Sequence, residues 1–141
     1  MTATLVRVAI DQTTLPGARF GIDSPYPELV WLPVMGPSTY LLWRHLAASV
    51  VERPRGAVVH LDELAASLGL SSQRGDRSSL MRALRRGARF GVLRRPTPRL
   101  VLIQPRLPPV PAAWLSGRHP AILTAHHRSL AAPTVRLASA S

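Results

Sequence analysis

Residues 57–104 read AVVHLDELAASLGLSSQRGDRSSLMRALRRGARFGVLRRPTPRLVLIQ. The β-branched run at 57–61 predicts a strand. Asp62 and Glu63 carry charges that suit a helix N-terminus. Leu64, Ala65 and Leu68 form one apolar side of that helix, and Gly69 is placed to close it in the left-handed conformation. The polar stretch 70–75 (LSSQRG) reads as a loop. Asp76 is then expected to cap a third helix that runs to Arg89 or Phe90 and is closed by Gly91. Two strands, 92–95 and 100–104, follow around a turn at Pro96-Thr97-Pro98.

The third helix sorts its residues by chemistry. At about 100° per residue, Leu80, Met81, Leu84, Gly87 and Ala88 share one side. Arg82, Arg85, Arg86 and Arg89, with Ser78, fall within an arc of about 100° on the other. Like charges at three- and four-residue spacing repel by a few tenths of a kcal/mol per pair, about the scale of one weak contact. No acid in the helix offsets this, and an anionic partner would.

Working outward, a helix is expected after Gly36-Pro37-Ser38, with Ser38 as its cap. Leu42, Trp43, Leu46 and Val50 lie on one face of it, and Pro54 and Gly56 end it. Residues 1–35 hold two short apolar runs, 5–10 and 29–34, both read as strands, with Pro33 favouring a strand end. Seven prolines between 96 and 120 forbid a long helix there. Residues 121–131 suit a last short helix, and the final ten are expected to be loose.

The order helix, strand, helix, loop, helix, strand, turn, strand over 37–104 resembles the winged helix-turn-helix proteins of bacteria. The resemblance is carried by AVVHL (57–61), DELAASLGL (62–70), RSSLMRALRRGARF (77–90) and GVLRRPTPRLVLIQ (91–104). It implies an α+β fold: a strand-rich extension over 1–35, a winged helix-turn-helix domain over 36–104, and a Pro-rich segment with a short helix over 105–141. The loop of about six residues before the third helix is longer than the usual three or four. The resemblance further implies that the third helix enters the major groove of duplex DNA and that the hairpin, the wing, lies along the backbone or in a minor groove. Arg77, Ser78, Arg82 and Arg85 would then face base edges or phosphates, and Arg86 and Arg89 phosphates. Arg94, Arg95 and Arg99 would act from the wing and Arg74 from the loop.

Charge agrees with an anionic partner. The formal net charge is +11, and all 18 basic residues are arginine. Residues 1–76 carry six arginines and all seven acids, whereas 77–141 carry twelve arginines and no acid. A block of one sign attracts nucleic acid, and Arg suits paired hydrogen bonds to phosphate and guanine. Two other partners fit the same charge: an acidic protein, with the domain as an adaptor, or structured RNA, as in a ribosome-associated protein.

Other chemistries find little to work with. There is no cysteine, so disulfides and thiol nucleophiles are excluded. Without lysine no G-x-x-x-x-G-K-[ST] phosphate loop exists, and no G-x-S-x-G nucleophile turn occurs. No enzyme activity, cofactor or small-molecule ligand is therefore expected. His119, His126 and His127 have no carboxylate after Asp76 to complete a metal site, so no metal is expected. Five of the seven aromatics fall between 20 and 43, where core packing is their expected role, leaving Phe90 and Trp114 in the basic half. That is too few for a single-strand stacking platform. No apolar run approaches the roughly 20 residues needed to cross a bilayer, and no basic-then-apolar leader opens the chain. A cytoplasmic, nucleoid-associated protein is the expectation; the residues leave open whether it forms a homodimer.

Overall fold

A computed structural model describes residues 5–13, 15–73 and 75–132. The fold is α+β, with one four-stranded sheet and helices on its inner face. Strand β1 (Leu5–Ile10) alternates as its sequence LVRVAI demands: Val6 and Val8 point into the core, while Leu5 and Arg7 face outward. β1 is an inner strand. It pairs antiparallel with β2 (Ala57–His60) and parallel with β4 (Leu100–Ile103), and β3 (Leu93–Thr97) closes the other edge. The sheet therefore spans both sides of the boundary expected at residue 35. The strand before the second helix pairs with β1 and not with the hairpin.

The strand expected at 29–34 is helical instead. A π-helical turn, Pro27–Trp31, runs into one α-turn, α1 (Leu32–Met35). Val30, Trp31, Val34 and Met35 are all buried, while Leu29 is exposed. Spacing of four, not two, is what buries them, and a short apolar run does not by itself distinguish the two periods. The described part of residues 1–35 thus holds one strand, β1, and is not strand-rich.

Helix α2 (Pro37–Glu52) buries the expected Leu42, Trp43, Leu46 and Val50. Its cap is Gly36 at φ +90°, not Ser38, because Pro37 takes the first helical position. The indole N–H of Trp43 donates to the carbonyl of Gln104 (2.7 Å) and fastens α2 to the end of β4. Helix α3 (Leu61–Leu68) buries Leu64 and Ala65 and ends at left-handed Gly69, as expected. A 3-10 turn, Gly75–Arg77, leads into α4 (Ser79–Phe90), closed by left-handed Gly91.

The α4 cap is Ser78, not Asp76. Ser78 has extended backbone, and its hydroxyl accepts the Met81 N–H at 3.1 Å. The preceding loop is fixed by the Ser71 N–H donating to the Ser79 hydroxyl (2.7 Å) and the Leu80 N–H donating to the Ser71 carbonyl (3.0 Å).

The hairpin runs further along β3 than the prolines suggest. Its turn is Pro98-Arg99, and a bulge between Arg94 and Thr97 accommodates Pro96. The Pro-rich segment beyond it packs onto the domain: Leu107, Val110 and Leu115 are buried. Two helices follow, α5 (Ala112–Leu115) and α6 (Pro120–Ala131), the second close to its expected span. The expectation of a loose tail falls on residues that lie, but for Ala132, outside the described ones.

Candidate nucleic-acid interface

α4 is held by its apolar side. Leu80, Ala83, Leu84 and Gly87 are buried, and the helix lies against α2 and β3. Gly87 permits the close approach: a Cβ there would stand 2.8 Å from Leu93 Cδ2. With Ala83 buried and Ala88 exposed, the inward face is turned by about 50° from the face read in the sequence. That turn separates the arginines. Arg82, Arg85 and Arg89 stand opposite the buried face, whereas Arg86 falls on its flank. All four are exposed, as is Arg77 just before the helix.

Arg86 is partly committed to the protein. Its Nε donates to the Met35 carbonyl (3.2 Å), and its guanidinium lies 5.6 Å from the Phe90 ring centroid. Ser78 does not join the exposed set. It is 1% exposed and its hydroxyl is used as the helix cap, so its part in the surface is to start α4. Arg74 lies outside the described residues.

The hairpin arginines do not act as one group. Arg94 makes a bidentate pair with Asp11, Nε to Oδ2 at 2.6 Å and Nη2 to Oδ1 at 2.9 Å. Asp11 follows β1, its side chain is almost wholly buried, and it also accepts the Thr13 N–H (3.0 Å). The Arg94 hydrogen bonds hold its carboxyl below the usual carboxylate range against the opposing effect of burial, with the Thr13 amide helping. Arg95 folds back over its own turn: Nη2 donates to the Pro98 carbonyl (2.7 Å) and Nη1 sits 3.8 Å from the Met81 sulfur, while Nε is buried without a partner among the described residues. Arg99, in the turn itself, is exposed.

Among the described residues the Asp11–Arg94 pair is the only salt bridge. The α4 arginines therefore face solvent without acidic partners. α3 differs: its exposed side carries Asp62 and Glu63, and Asp62 accepts the Ser72 hydroxyl at 2.6 Å. The cationic surface is α4 together with the hairpin turn, not the helix pair as a whole.

Two features escaped the sequence reading. One is a groove of about 380 Å³ between the start of α2 and the middle of α4. Gly36-Pro37 ahead of a helix, with Arg82 and Arg86 four apart, was its only trace. The other is an aromatic cluster in which Trp114 stands edge-on to Trp31 (6.0 Å) and to Phe90 (5.6 Å) at the end of α4. Nothing in the spacing of 31, 90 and 114 signals it.

Two of the histidines have structural partners. His119 Nδ1 accepts the Ala121 N–H (3.0 Å) and caps α6, and His126 bonds Tyr26. Among the described residues no three His or acidic side chains gather at metal-binding distance, and no helix is long and apolar enough to cross a membrane. No family model, curated protein or solved structure matches the chain.

Proposed function

We propose that the chain is a winged helix-turn-helix protein that binds double-stranded DNA, as a transcriptional regulator or nucleoid-associated factor. The observation that carries this reading is the row Arg82, Arg85 and Arg89, exposed on a helix whose opposite side is anchored in the core and unpaired with any acid among the described residues. A helix of this size fits the major groove, about 12 Å wide, and guanidinium groups pair with phosphate and with guanine edges. The element order over 37–104 supports the fold reading; β1 between β2 and the hairpin is an addition to it. The wing contributes less than its composition promises, because Arg94 and Arg95 already have protein partners and Arg99 alone is free to reach phosphate.

The test is binding to a labelled random-sequence duplex at moderate salt, with the Arg82/Arg85/Arg89→Ala variant alongside. The wild type binds, and the variant binds about 100-fold more weakly while keeping its thermal melt. Equal affinity of the two proteins, or no binding by either, contradicts the reading. Tighter competition by structured RNA or by an acidic polypeptide than by duplex would favour those partners instead.

A further inference from the structure

We propose that the groove between the start of α2 and the middle of α4 is a phosphate-binding site, occupied by a phosphodiester of the bound nucleic acid. The inference begins with the backbone. α2 is 16 residues long and has no acid in its first turn and no side-chain cap. Pro37 has no N–H, and the Tyr40 N–H is taken by the Gly36 carbonyl (3.0 Å). The Ser38 and Thr39 amides remain as the donors a helix start leaves over, at the positive end of the helix dipole.

The side chains supply the independent observation. Thr39 is 2% exposed and lines the groove, and among the described residues its hydroxyl forms no hydrogen bond. The hydroxyl is not one of the enclosed side-chain atoms left without a partner, so it is open to the groove that Thr39 lines. Arg82 and Arg86 line the same groove from α4. The bond from Arg86 Nε to the Met35 carbonyl holds its guanidinium beside Gly36, where a Cβ would lie 3.9 Å from Nη2. Two arginines thus line a groove at the end of α2 that repels cations, and no acid lines it. An anion reverses the sign of each of these interactions. Amides, a hydroxyl and two guanidinium groups approaching from two helices suit the spread oxygens of a tetrahedral phosphate better than a planar carboxylate.

This site deepens the duplex reading and rests on it only for the source of the phosphate. The experiment follows amide resonances of ¹⁵N-labelled full-length protein during two titrations, one with inorganic phosphate and one with random-sequence duplex. The expected result is saturable shifts of Ser38 and Thr39 in both. Thr39→Val should raise the half-saturating phosphate concentration about threefold, and Arg82→Gln with Arg86→Gln about tenfold. Thr39→Val removes only the hydroxyl, so it serves where the double variant folds poorly. If duplex binds and Ser38 and Thr39 stay silent in both titrations, the groove proposal is overturned while the duplex reading survives. If inorganic phosphate shifts them and duplex does not bind, the phosphate site stands, its occupant is a free phosphate compound, and the duplex reading falls. Equal phosphate affinity in wild type and both variants also overturns the proposal.

Discussion

Tyr26 and His126 share a 2.7 Å hydrogen bond across 100 positions of sequence. The Val110 N–H donates to the same Tyr26 oxygen at 2.8 Å, which leaves Tyr26 a second lone pair and its own proton for the contact with Nδ1 of His126. This latch fastens α6 to the π-helical turn.

Burial, with a smaller contribution from the neighbouring His127, lowers the His126 pKa below its ordinary 6.5. The unfolded chain therefore binds the proton more readily, and stability rises with pH in this window. Its contribution is complete above the ordinary value and is lost as pH falls through the lowered one. Melting followed from pH 8 to pH 5 should show the wild type losing stability on the acid side. His126→Phe should be less stable at pH 8 and flatter in that range. Equal slopes for the two proteins would place the titrating group elsewhere.

Asp11 titrates in a lower window. Its pKa is depressed from 3.8, so the stability it confers is present above that value and disappears as pH falls through the folded one. Asp11→Asn should destabilise the protein by about 1–2 kcal/mol at pH 7, through the Arg94 and Thr13 hydrogen bonds. The difference from wild type should vanish in strong acid. Urea melts at both pH values check this, and a pH-independent difference would contradict it.

Gly87 sets how closely α4 approaches the sheet. Gly87→Ala adds a methyl 2.8 Å from Cδ2 and 3.0 Å from Cγ of Leu93, itself fully buried. Overpacking of this kind should outweigh the gain in helix propensity and cost about 1–3 kcal/mol. Chemical denaturation checks the sign; a more stable variant would mean that Leu93 has room to move.

The sequence was most informative where local chemistry leaves one solution. Gly69 and Gly91 end α3 and α4 in the left-handed conformation, and the 5–10 run forms β1. It was less informative where tertiary packing chooses. The 29–34 run carries apolar residues compatible with either period, and burial of Val30 with Val34 settles for helix. Asp76 lies in the preceding 3-10 turn, and Ser78 caps α4 because its hydroxyl reaches the Met81 N–H. Spacing puts Arg82, Arg85 and Arg89 on one side of α4, but it does not show that Arg86 turns to the flank or that Ser78 is buried. Nor does it show the capture of Arg94 by Asp11, because the partner lies 83 positions away and meets it only through the parallel pairing of β1 with β4.

The salt dependence of duplex affinity tests the central claim most directly. Arg77, Arg82, Arg85, Arg86, Arg89 and Arg99 are the exposed arginines of the proposed surface. If each neutralises one phosphate, log K should fall against log salt with a slope of about −5, and the Arg82/Arg85/Arg89→Ala variant should show about −3. A slope near zero, or the same slope in both proteins, would contradict a duplex lying on α4.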